Sequence, residues 1–252
     1  MQYSVDPKAP VVLAGPSSEA LPPVFRTAFA CLSLNSYDRL RLIRFSQHDI
    51  GVVRAAVQQA WPRGIQDERN YYGSHEFKLR GYPWSGQADE AVPSRQLILT
   101  VLSDLYDAGW VLTASTDISK KKLDKDALLF RFQSPPPPPC TWFAISFNKG
   151  DRLRLIGAPN QVTAQFKDML GPLLQSDGWR EEGAYEFKCK GYPWMAHGSE
   201  AVSTRILLLR MLEILEHNNY SLYASIDQNT GPAGKSKRSG SETDTWYCCR
   251  PT

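Results

Sequence analysis

The chain lacks the residue patterns that mark most catalytic and metal centres. Its four histidines, His48, His75, His197 and His217, show neither HxxxH nor HExxH spacing, so no recognisable pair is offered to zinc. There is no GxSxG nucleophile elbow and no GxGxxG after a strand. The Gly234-Lys235-Ser236 triplet is not a phosphate-binding loop, because Asn229 stands where the first glycine is required. No catalytic residue, cofactor or metal is therefore expected. The five cysteines, Cys31, Cys140, Cys189, Cys248 and Cys249, are odd in number, contain no CxxC and include one vicinal pair. This excludes a disulfide framework. Cys189 stands where the first half of the chain has Leu79, and reads as a small buried apolar residue.

Long apolar runs are missing as well, so no membrane span is expected. The opening MQYSVDPKAPVVLAG has no basic segment leading into an extended apolar stretch, which argues against a secretory leader. A cytoplasmic or nuclear protein is the expectation. The apolar fraction of 42% and charged fraction of 22% belong to a chain that folds in water. A net charge of +3 implies a nucleic-acid partner only if the charge is focused somewhere.

What the sequence does contain is its own template twice. Asp38 to Ile43 and Asp151 to Ile156 both read DRLRLI, 113 positions apart, and EFKLRGYPW from Glu76 to Trp84 returns as EFKCKGYPW from Glu186 to Trp194, 110 apart. The copies thus differ by three residues between these blocks. Residues 1–24 are rich in Pro, Ser and Ala and read as a flexible segment. Residues 25–134 form a first unit, Pro135 to Pro139 a polyproline linker, and residues 140–252 a second unit.

Each unit opens with two alternating segments around a polar turn, CLSLNSYDRLRLIRF and WFAISFNKGDRLRLI, the pattern of a β-hairpin. Val53, Ala56, Val57 and Ala60, matched by Phe166, Met169, Leu170 and Leu173, repeat at i, i+3, i+4, i+7 and predict a helix. The EFK segment predicts a strand. After GYPW a second helix places Leu97, Ile98, Val101, Leu102 and Leu105 against Leu207, Leu208, Met211, Leu212 and Leu215. Gly109 and Asn218-Asn219 suit a left-handed helix end, and two strands close each unit. The order is ββαβαββ twice. The expected fold is α+β, a tandem duplication of a two-layer α/β sandwich, with both helices on one face of a mixed sheet and the units related by a pseudo-twofold.

Strand alternation sends Arg39, Arg41, Lys78 and Arg80, and in the second unit Arg152, Arg154, Lys188 and Lys190, to the face without helices, together with Glu76 and Glu186. That face is either a solvated surface of cross-strand ion pairs, an anion-binding surface, or the place where the units meet. A lysine-rich hairpin recurs between the last two strands, with Lys120, Lys121, Lys122 and Lys125 in one copy and Lys235, Lys237 and Arg238 in the other. Such a cluster contacts phosphates or simply discourages edge pairing. Arg95 and Arg205 fall in the first turn of a helix, where a cation opposes the macrodipole unless Glu90, Glu76, their mates or an anionic ligand offsets it. The leading reading is a non-enzymatic binding or adaptor protein whose two units present paired basic surfaces to another macromolecule. The alternatives are a polyanion-binding protein for RNA, inositol phosphate or lipid head groups, and a small-ligand carrier or enzyme with a cleft between the units.

Overall fold

The computed structural model describes residues 27–85, 88–116, 124–180, 183–228 and 244–252. The segment 1–24 and the hairpin residues Lys120, Lys121, Lys122, Lys235, Lys237 and Arg238 lie outside them, and so does the side chain of Lys125. The described chain forms two copies of one α/β unit, as the duplication predicts. The first contains β1 (Phe29–Asn35), β2 (Arg39–Ile43), α1 (Gln47–Ala60), β3 (Ile65–Tyr71), β4 (Ser74–Leu79), α2 (Ala91–Asp107), β5 (Trp110–Thr116) and β6 (Asp124–Phe132). The second repeats the order as β7 (Cys140–Asn148), β8 (Arg152–Ile156), α3 (Asn160–Leu170), β9 (Leu174–Trp179), β10 (Ala184–Cys189), α4 (Ser199–His217), β11 (Ser221–Ile226) and β12 (Thr245–Pro251).

Each unit has six strands where five were expected, and the sheets, ordered β3-β4-β2-β1-β6-β5 and β11-β12-β7-β8-β10-β9, are antiparallel throughout rather than mixed. The strands absent from the expectation are β3, IQDERNY, and β9, LQSDGW. They are edge strands with no buried residue, so they carry no apolar alternation. The Tyr72-Gly73 turn joins β3 to β4 with φ of 46° and 81°, the left-handed pair that a tight two-residue hairpin requires. Helix ends follow the anticipated chemistry, with Gly109 at φ 93° and Asn219 at φ 60°. Ser46 caps α1 in a reciprocal box with Asp49. Helix α3 stops at Leu170, so Leu173 lies in a short 3-10 turn beyond it.

One face of each sheet receives its own helices. Leu32, Leu34, Leu40, Leu42, Phe77 and Phe130 meet Val53, Val57, Leu97, Val101 and Leu105 in the first unit. Phe143, Ile145, Leu153, Leu155 and Phe187 meet Phe166, Leu207, Met211 and Leu215 in the second. The units themselves stack head to tail. Ala144, Ile156, Ala184, Ala224, Ile226 and Tyr247, on the opposite face of the second sheet, belong to the core that contains α2. Tyr106 at the end of α2 forms an edge-to-face trio with Trp142 and Tyr223, at 4.8 to 5.7 Å between centroids. Tyr223 Oη accepts the Leu112 N–H at 2.7 Å, and Gln228 Nε2 donates to Ser94 O at 3.2 Å. A helix layer of one unit on the bare sheet face of the other is a translation-like stack that a twofold axis does not generate. The pseudo-twofold expectation is corrected accordingly. No described helix is long and apolar enough to cross a membrane.

Trp84 is fully buried and its counterpart Trp194 is only partly so, although each donates its indole N–H to the start of the neighbouring strand. Trp84→Ala should therefore cost about 3–5 kcal/mol and Trp194→Ala distinctly less. Denaturant midpoints of the two variants check this, and equal losses would contradict it.

Candidate functional site

The motif that repeats most exactly builds the same latch in both copies. Trp84 Nε1 donates to Arg39 O and Trp194 Nε1 to Arg152 O, both at 2.9 Å. Ser94 Oγ reaches Pro83 O at 2.6 Å and Thr204 Oγ1 reaches Pro193 O at 2.7 Å. GYPW thus ties the strand-to-helix turn to β2 or β8 on one side and to the N-terminal two turns of the helix on the other. Arg95 Nη1 and Arg205 Nη1 donate to the carbonyls of Ala91 and Ala201 in their own helices. Arg95 is sealed at the junction of the units, out of reach of a dissolved anion, and Arg205 is exposed.

The sheet faces that were expected to be basic are organised around one buried carboxylate each. Glu76 accepts from Arg39, Arg41 and Arg69 at 2.6 to 2.8 Å. Glu186 accepts from Arg152, Arg154 and Arg180 at 2.6 to 2.8 Å. Arg69 and Arg180, members that alternation of the expected strands could not reveal, come from the unrecognised edge strand β3 and from the residue just past the end of β9. They are not equivalent positions. Arg69 lies directly opposite Glu76, whereas Gly178 lies opposite Glu186 and Arg180 follows two residues later. In the first unit Tyr71 covers the cluster, with the Arg41 and Arg69 guanidinium groups 4.3 and 5.0 Å from its ring centroid. In the second the glycine leaves a cavity of about 240 Å³ lined by Arg152, Asp177, Arg180, Glu186 and Lys188, among others. Arg80 and Lys190 lie past their strand ends, and Lys190 Nζ donates to Pro172 O.

The larger difference between the copies sits where the three residues are missing. Helix α3 has 11 residues to the 14 of α1. Counting back from the paired strand ends Ile65 and Leu174, Leu170 falls where the first unit has Trp61, and Pro172 where it has Arg63. Trp61 is fully buried with its indole N–H on Arg80 O at 2.8 Å. Arg63 pairs with Glu90, which also accepts the Tyr82 N–H. With the smaller Leu170, the second unit instead holds a cavity of about 440 Å³ lined by Leu170, Leu173, Tyr192, Ile206, Leu207 and Arg210, among others. Its size is that of a ligand pocket. It lies inside one unit, not in a cleft between two.

Burial pushes the Cys189 thiol up to about 11, and burial with the neighbouring Cys140 pushes Cys249 up to about 12. Burial also raises Cys248. These thiols are weak nucleophiles at neutral pH. Among the described residues no group of His, Cys, Asp and Glu is arranged to hold a metal ion. His75 Nε2 lies 3.2 Å from Glu68, which Arg54 also engages.

A family model described only as a domain matches this chain over residues 28–131 and again over 141–249. The chain belongs to that domain family. The two matches coincide with the two α/β units of the structure. The crystal structure of a conserved kinetoplastid-specific protein from Trypanosoma cruzi is similar at 14% identity, covering 42% of this chain and 97% of that one, with a TM-score of 0.33. No curated protein matches the chain.

Burial alone would raise Glu76 and Glu186, but hydrogen bonds from Arg41 and Arg69, or Arg154 and Arg180, together with the arginine charges hold both below the ordinary 4.5. A depressed carboxylate adds stability that is fully present above its unfolded value and drains away as pH falls through the folded one. Stability should therefore decline from about pH 4.5 downward, and the decline should be shallower in Glu76→Gln and Glu186→Gln. Denaturant midpoints between neutral pH and pH 3 measure it. An unchanged acid limb in both variants would remove the clusters as its cause.

Proposed function

We propose that the protein is a non-enzymatic binding protein in which the first unit is a closed scaffold and the second receives an aromatic side chain of another macromolecule. The observation that carries this reading is the cavity beside Leu170, which lies where the first unit, counted back from the strand ends, has the buried Trp61. The first unit displays what fills the space between the shorter helix, the GYPW turn and the second helix, namely an indole held by a main-chain carbonyl. The second unit keeps the framework, including Lys190 in place of Arg80, and leaves the space open. Apolar walls with a few polar groups at the rim suit an inserted anchor residue, the kind of contact that dominates protein interfaces.

Leu170→Trp should refill the cavity. It is expected to raise stability by about 0.5–2 kcal/mol and to abolish binding of N-acetyltryptophanamide, which the wild type should bind in ligand-observed NMR. A wild type that leaves the indole signals unchanged, or a variant that binds equally well, would sink the reading.

A second reading rests on Gly178. The 240 Å³ cavity it opens is lined by Arg152, Arg180 and Lys188 with the carboxylates of Asp177 and Glu186, a net excess of one positive charge that suits a phosphate group. Inorganic phosphate should then raise the melting temperature more than chloride does at equal ionic strength. Arg180→Ala with Lys188→Ala should cancel the difference, and a rise that survives those changes excludes this site.

A further inference from the structure

The junction between the two units is built from two surfaces, and each exists a second time on the same chain with nothing on it. The first surface is the outer side of α2, where Val92 and Leu102 are buried and Leu99 packs at the margin of the shared core. Its mate on α4, 110 positions on, consists of Val202, Leu212 and Leu209. Leu209 is 58% exposed and Leu212 37%. The second surface is the bare face of the second sheet, where Ile156 and Tyr247 are buried and Trp142 packs against the core. Strand register gives their mates on the first sheet. Phe29 pairs with Arg131 as Trp142 pairs with Cys249, so Leu129 matches Tyr247, and Ile43 matches Ile156 in the DRLRLI repeat. Phe29 is 51% exposed, Ile43 37% and Leu129 38%.

We infer that the chain associates head to tail with a second copy of itself, the outer face of α4 in one molecule lying on the open face of the first sheet in the next. The contact repeats the one already made inside the chain. Large apolar side chains at both ends are those whose homologues are covered at the junction, and single exposed apolars at unrelated positions would not show that correspondence. Charge fits as well. At the internal junction Tyr106 sits 5.4 Å from Trp142, the register partner of Cys249. At the chain's ends the mate of Tyr106 is Glu216 and the mate of Cys249 is Arg131, both exposed. The places held within the chain by Tyr106 and by the Cys249 that pairs with Trp142 are held between chains by a carboxylate and a guanidinium. Because the two surfaces differ, the association is heterologous and extends to further copies unless its rotation closes a ring.

The test uses the full-length protein in sedimentation equilibrium over a range of concentrations. The wild-type mass should rise with concentration beyond one chain. Leu209→Glu on α4 and Leu129→Glu on the first sheet should each weaken association on the order of a hundredfold, since a carboxylate in an apolar contact must be desolvated. Both positions are exposed in the single chain, and unchanged circular dichroism confirms folding. An equimolar mixture of the two variants should form a species of two chains and no more, because each retains one intact surface. Glu216→Arg and Arg131→Glu should weaken association singly and restore it when combined in one chain. Leu170→Trp, which closes the neighbouring cavity, should leave association unchanged. A wild type that stays monomeric overturns the proposal, as does self-association of Leu129→Glu alone, which would mean that α4 pairs with α4. A mixture that remains monomeric overturns it too.

Discussion

Helix α2 has to satisfy two cores at once, and most of the arrangement follows from that constraint. Its inner side, Leu97, Val101 and Leu105, closes the first sheet, while Leu102 and Tyr106 on other sides meet the second. A helix that is apolar around much of its circumference is stable only when buried on several sides. Each fully buried leucine contributes about 1.5–3 kcal/mol relative to exposure, so separating the units would uncover side chains that the first unit cannot bury alone. The proline run therefore joins two bodies that share a core through α2. Polar anchors fix the register of that contact. Asp126 accepts from Ser115 Oγ at 2.7 Å and from the Asp227 N–H at 3.0 Å, tying the facing edges of the two sheets together.

Duplication separates what builds the fold from what is available for use. Features retained in both copies prove to be structural: the GYPW latch, the Glu76 and Glu186 clusters, and the left-handed ends at Gly109 and Asn219. The two carboxylates show how strongly such a feature is held. The third arginine comes from non-equivalent positions, Arg69 and Arg180, yet completes the same triad. Three guanidinium groups on a sheet face repel one another, and a buried acceptor with charge-assisted hydrogen bonds is the condition for holding them there. Features that diverge are spatial. Leu170 and Pro172, at the places that strand count gives to Trp61 and Arg63, border one cavity, and Gly178, opposite Glu186 where the first unit has Arg69, borders another.

Much of the fold was legible in the sequence because it repeats. DRLRLI and EFK located β2, β4, β8 and β10, and leucine spacing located α2 and α4. The edge strands β3 and β9 escaped because they bury nothing, and a strand without a buried side carries no period-two signal. With them went Arg69, Arg180 and Gly178. The cavity beside Leu170 was present in the sequence only as the fall in repeat offset from 113 to 110. That number says residues are missing; it does not say that the missing bulk is a tryptophan's. Arg39, Arg41, Arg152 and Arg154 were placed on the correct face by alternation, whereas their shared acceptors needed the strand register.

How the units stack was not legible at all, for a physical reason. Alternation reports that a face is buried or polar, and it is blind to what covers it. The face that covers α2 presents Ala144, Ser146 and Ala184 beside Trp142 and Tyr247. These small residues let a helix approach the sheet closely. The open face of the first sheet has Cys31, Ser33 and Ser74 at the same places, by register and repeat. The same smallness on an uncovered face has no use within the chain, since the helices of the first unit lie on the other side. A twofold pair would have consumed two surfaces of one kind and left two of the other, with no complementary pair among them. A translational pair consumes one of each kind and necessarily leaves one of each kind, so the unmatched ends are a consequence of the stacking mode itself.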